Sequence, residues 1–238
     1  MIYSGAKLAV TFLLVVLSYI SLSWGEANLS YIALVDNIEY IAMNKINALE
    51  KETEAEQEIK TMLNKHGSHP HYLTTIAIYY ENIASSYDEK EQKQELYFKS
   101  LSYYKEAASV RNNWIPTLTR MISLKVKLGQ IDKELFELVK GTSELARYNE
   151  EYSREIVYLL LSHWRNLPPE IIEFSLFHLK KIIGQNKFSE IYEYASYSNT
   201  SDFLCELSVE THNSQVIRIC YDDENGTSKN SIEKLNER

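Results

Sequence analysis

PHYLTTIAIYYENIA, residues 70–84, followed by SLSYYKEAASVRNN, residues 100–113, is the stretch that decides the fold. Leu73, Ile76, Ala77 and Tyr80 recur at three- and four-residue steps. Leu101, Tyr104, Ala107 and Ala108 do the same, so each segment predicts a helix with one apolar face. Ala77 and Ser100 are small enough to let two helices approach, and Tyr80 and Tyr104 are bulky enough to fill the gaps beside them. Between them, SSYDEKEQKQE (85–95) predicts a loop and a frayed start, with the second helix under way by Tyr97.

Working outward, the same periodicity predicts helices over 114–128, 131–146, 150–165 and 168–183, with shorter ones over 187–197 and 202–209. Leu135, Leu138 and Leu145 are the expected inward residues of the 131–146 helix. Gly129 stops one helix, and Pro168-Pro169 ends another while opening the next. Upstream, Leu29, Ile32, Val35, Ile38, Ala42, Ile46 and Leu49 predict one apolar stripe, on a helix that continues from the segment before it or breaks near Glu26-Ala27-Asn28. Gly67 is placed to cap that region and Pro70 to start the next helix. The charged run 50–60 reads as a solvated helix face, and 222–238 as a polar, frayed tail. No segment alternates with period two. Helices joined by short turns predict an all-α antiparallel array.

Composition agrees. Seven Gly and four Pro in 238 residues are few for a sandwich, a barrel or a glycine-loop nucleotide fold. Lys and Arg number 25 against 33 acidic residues, so a net charge of −8 gives no global attraction to nucleic acid. At 45% hydrophobic and 24% charged, the chain is not a disordered one.

LAVTFLLVVLSYISLSWG, residues 8–25, carries no charge over 18 residues. At ~1.5 Å per residue it reaches ~27 Å, close to the ~30 Å of a bilayer core. Lys7 precedes it, and Glu26, Asp36 and Glu39 follow, which predicts a cytoplasmic N-terminus and an exported body. A cleaved signal peptide, cut at Ser21-Leu22-Ser23, is the competing reading; Trp24 at the exit boundary favours a retained anchor. Either places the body in an oxidising compartment, where Cys205 and Cys220, the only cysteines, are candidates for a disulfide rather than two buried thiols.

Set against the ~34-residue tetratricopeptide helix pair, a unit starting at Pro70 puts Ile76, Ala77, Tyr80, Ser100, Tyr104 and Ala107 at the family's small and bulky places, given an insertion at 85–95. A degenerate second unit starts near Ile115, and the hairpin over 150–183 packs as a third pair; a generic helical bundle is the alternative. Further features resemble the VpsP-type polysaccharide-biosynthesis proteins. They are the anchor over 8–25, SLSYYKEAASVRNNW over 100–114, LKVKLGQID over 124–132, HWRNLPP over 163–169, and a closing cysteine pair. Asn112 stands where that family's turn has proline, and 146–150 lacks its Gly-Pro-Trp-type turn. The resemblance implies a bacterial inner-membrane protein with one span and a periplasmic body, serving exopolysaccharide synthesis or export and hence biofilm. It supplies no catalytic residue.

Nothing in the residues points to a reaction. There is no Walker loop, G-x-S-x-G, G-x-G-x-x-G or H-E-x-x-H. His66, His69 and His71 invite a metal but lack an acidic or cysteine neighbour to complete a set. The carboxylate pairs Glu54/Glu58, Glu150/Glu151 and Asp222/Asp223 lie in charged runs. Eighteen tyrosines are many, and Tyr79, Tyr103, Trp114, Arg120 and Trp164 are the candidate partner-contact residues. The expected organisation is an anchor over 1–27, a juxtamembrane helix over 28–69, helical repeats over 70–200 and a tail with the cysteine pair over 201–238. The expected role is a non-catalytic adaptor without cofactor, touching proteins of the polysaccharide system, with sugar contact left open. A secreted binding protein and an enzyme acting on a glycan or lipid-linked sugar remain the alternatives.

Overall fold

One helix, α1 (Ile2–Met43), carries the apolar N-terminal run into the folded body without a break at Glu26-Ala27-Asn28. The structure is a computed structural model describing residues 2–43 and 51–222, and every regular element among these is helical. Two compact units are present, Met1–Thr117 and Leu118–Arg238.

In the first unit α1 is followed by α2 (Glu52–His66), α3 (Pro70–Ala84) and α4 (Lys90–Val110). Ala27, Leu34 and Ile41 of α1 meet Ala55, Ile59 and Met62 of α2 around Tyr72, Ile76, Tyr79, Tyr80 and Ile83 of α3. The buried stripe of α1 is therefore offset from the expected one: Leu29 and Ile32 are 70% and 54% exposed, while Leu34 is fully buried. Ile46 and Leu49, expected on that stripe, lie outside the described residues. Helix α3 is central, burying ten side chains on more than one face.

The expected loop over 85–95 is shorter than its polarity suggests, because α4 begins at Lys90. Lys, Glu and Gln are good helix formers, so KEQKQE extends the helix instead of interrupting it. Residues 85–89 turn the chain back, and α4 returns along α3. The small residues do what their size allows: Ser100 Oγ donates to the Ala77 carbonyl at 2.8 Å, and Tyr104 OH reaches Glu81 at 3.2 Å.

In the second unit α5 (Ile115–Lys127, whose first turn belongs to the first unit) ends at Gly129, whose φ of +69° is the left-handed conformation that closes helices. Asp132 then caps α6 (Lys133–Leu145) by accepting from the Leu135 N–H at 2.9 Å. Lys125 is buried, and its ammonium is held by Gln130, Asp132 and Glu134 at 2.9–3.2 Å. The inward face of α6 is Leu135, Val139, Thr142 and Ser143; Leu145, expected inside, is 51% exposed. Asn149 caps α7 (Glu150–His163), and a 3₁₀ turn, Trp164–Asn166, leads to α8 (Pro169–Gly184). Helices α9 (Phe188–Tyr197), α10 (Ser201–Ser208) and α11 (Ser214–Ile217) close the unit over a core that includes Val157, Leu161, Leu179, Ile183, Phe188 and Leu204. Cys205 of α10 is bonded to Cys220, with Cα atoms 5.7 Å apart.

Candidate functional site

The apolar part of α1 faces outward: Leu8, Phe12, Val15, Tyr19 and Leu22 are each more than 60% exposed. Residues Leu8–Met43 are long and apolar enough to cross a membrane. Where this surface meets the body, an aromatic collar forms. Trp24 stacks on His66 at 3.7 Å between ring centroids, with His69 edge-on at 5.5 Å. His71 stacks on Tyr31, and Tyr72 OH donates to the Asn28 side chain at 2.7 Å. Lys65 pairs with Glu26 at 2.7 Å. The three histidines of the 66–71 turn are thus spent on ring stacking; among the described residues no group of histidine, cysteine or carboxylate side chains is arranged to hold a metal. Burial, reinforced by His71 and His66, holds the His69 pKa below its ordinary value.

The candidate contact residues separate. Tyr79 is not a contact residue: it is fully buried in the first unit, its hydroxyl without a partner among the described residues, so it presents nothing to another molecule. Burial, with Glu52 and Glu56 next, pushes its pKa well above the usual tyrosine value. Tyr103 is half-buried, with its ring parallel to that of Tyr80 at 5.7 Å. Trp114 lies under the Arg111 guanidinium at 3.8 Å. Arg120 is exposed on α5, 3.5 Å from Glu151. Trp164 is 40% exposed and stacked on Phe203 at 4.9 Å.

Two of the solvent-open grooves among the described residues are large. The first, about 750 Å³, runs between α2, α3 and α4. Its polar groups hold one another: Glu56 accepts from Tyr80 OH at 2.7 Å and pairs with Lys99 at 3.4 Å, and Lys99 sits 4.0 Å over the Tyr80 ring. The second, about 490 Å³, lies in the second unit between the 3₁₀ turn after α7 and the α9–α10 turn. Trp164, Arg165, Asn166, Asn199, Asp202 and Phe203 are among its lining residues. Trp164 was legible as a candidate; Phe203, Asn199 and Asp202 were not, because they reach it only through the packing of α9 and α10. The one local signal was Ser198-Asn199-Thr200, a turn at which Asn199 adopts a φ of +55°.

No protein-family model matches the chain, and no curated protein and no solved structure matches it.

Proposed function

We propose that this chain is a single-pass protein of a bacterial inner membrane, with its body in the periplasm, that assists exopolysaccharide synthesis or export by holding a partner protein and performs no catalysis itself. One observation carries the anchor on which this rests. Helix α1 has 42 residues and is therefore ~63 Å long, about twice a bilayer core of ~30 Å. Over residues 8–22 nearly all of its large apolar side chains are exposed, whereas Ala27, Leu34 and Ile41 of its C-terminal half are buried in the first unit. One element thus supplies both a span and part of a core. The Trp24 collar supports an exit from the bilayer at that level, since tryptophan favours the interface.

The Cys205–Cys220 bond supports an oxidising compartment for the body. The close approach of α3 and α4 at Ala77 and Ser100 supports a tetratricopeptide-like first pair, with α7/α8 as a later one. The exopolysaccharide setting rests on the resemblance of 100–114 and 163–169 to VpsP-type proteins. Cross-linking in membranes, followed by detergent extraction and mass spectrometry, tests the reading. Recovery of a polysaccharide synthase, copolymerase or export protein is the expected result. A soluble mature chain starting near Trp24, or unchanged polymer after gene deletion, overturns it.

A further inference from the structure

The second groove combines an aromatic pair with unengaged polar side chains. Trp164 and Phe203 stack with their planes 25° apart, and Trp164 keeps 40% of its surface in solvent. The pair lines a cleft of about 490 Å³, within the ~300–1,000 Å³ typical of small-ligand sites. Around it stand Arg165, Asn166, Asn199 and Asp202, all exposed or half-exposed. Among the described residues none of these four side chains makes a hydrogen bond or ion pair; Arg165 alone has a contact, 5.3 Å over the Trp164 ring. Arg154 of the same unit, by contrast, is engaged by both Glu150 and Glu190.

The combination selects a ligand class. Two amides, a carboxylate and a guanidinium offer donors and acceptors in near balance, which hydroxyl groups require because each both gives and takes a hydrogen bond. Arg165 and Asp202 cancel in charge, so neither a phosphate nor a polycation is favoured. A ring platform beside such groups matches a molecule with an apolar C–H face and a hydroxyl rim, the description of a pyranose. The frame is rigid where it matters. Leu167 N–H closes the 3₁₀ turn on the Trp164 carbonyl just before Pro168-Pro169. Asn199 is held in the left-handed region with a φ of +55°. Helix α10, which carries Asp202 and Phe203, is tethered through Cys205. A platform fixed before binding loses less entropy when the ligand arrives.

We infer that the groove between the Trp164 turn and α10 is a binding site for a short neutral oligosaccharide, with Trp164 as its platform and Asn166 and Asp202 as its hydroxyl readers. This goes beyond the adaptor role and does not depend on it, because sugar binding is measured on the purified protein with no partner present.

The test is isothermal titration of the detergent-solubilised full chain with cellohexaose, chitohexaose and mannohexaose, and with a hexagalacturonate as an acidic control. At least one neutral hexamer binds, and the acidic one binds more weakly. Trp164→Ala weakens binding about tenfold or more, as loss of a stacking platform should. Asn166→Ala with Asp202→Ala weakens it without touching the core, since both side chains are exposed. Trp114→Phe, in the other unit, leaves it unchanged. Far-ultraviolet circular dichroism confirms that each variant is folded. Failure of all three neutral hexamers to bind, preference for the acidic one, or unchanged affinity in folded Trp164→Ala overturns the assignment.

Discussion

Replacing Leu34 by alanine distinguishes the two faces of α1 by their energetics. Leu34 is fully buried in a cluster with residues of α2 and α3, while Leu29 and Ile32, nearby on the same helix, are mostly exposed. Leu→Ala removes three carbons, worth about 2.4 kcal/mol at ~0.8 kcal/mol per buried methylene. The cavity left behind brings the expected cost to ~2–5 kcal/mol. Leu29→Ala and Ile32→Ala should stay within ~0.5 kcal/mol. In a Trp164→Phe background the remaining tryptophans, Trp24 and Trp114, both lie in the first unit. Their fluorescence during denaturant unfolding of the solubilised chain therefore reads that unit alone. The midpoint should fall clearly for Leu34→Ala, with a thermal shift on the order of 10 °C, and hardly move for the other two. Equal losses at Leu29 and Leu34, or a loss below ~0.5 kcal/mol at Leu34, would refute the register by which α1 enters the core.

Tyr79→Phe should raise the stability of the first unit by about 1 kcal/mol, because the deleted hydroxyl is buried without a partner; a loss of that size in the same fluorescence assay would mean that the hydroxyl is bonded. Burial, assisted by Lys181, lowers the His178 pKa to about 4, against ~6.5 unfolded. The neutral ring faces Ser153 Oγ at 3.0 Å and packs against Tyr152, so stability is complete above pH ~6.5 and falls as pH drops toward 4, by roughly 3 kcal/mol in all. His178→Asn should flatten that decline in urea midpoints measured from pH 7 to pH 4, and an unchanged slope would assign it elsewhere. Reducing the Cys205–Cys220 bond opens a loop of sequence separation 15 and should cost ~3 kcal/mol in the chain-entropy account. Hydrogen exchange with and without dithiothreitol should show the loss at α10 and α11, and equal protection in both conditions would contradict it.

Helix existence was legible because it depends on local composition and spacing: few glycines, no alternation, and clear stops at Gly129 and Pro168-Pro169. The α3–α4 approach was legible too, since Ala77 and Ser100 are small for a reason that acts across a single hairpin. Four things were not. The α1 register was hidden because this helix is apolar on faces that do not enter the core; Leu29 and Ile32 mimic a stripe that Leu34 and Ile41 form. The start of α4 was hidden because polarity resembles a loop, although Lys, Glu and Gln favour helix. Tyr79 was misplaced because a central helix has no outward face, and only the packing of α1, α2 and α4 around α3 makes α3 central. The platform at Trp164 needed residues from α10, some forty positions later, and no local pattern announces such a meeting.

The absence of a joint in α1 has a mechanical corollary. A peptide tether would let the first unit swivel freely above the lipid. With α1 as the proposed anchor, a continuous helical rod, braced where Lys65 meets Glu26 and His66 meets Trp24, instead turns tilt and spin of its apolar half into tilt and spin of the helices packed on the other half. Whatever grips the rod among the acyl chains therefore also aims the first unit.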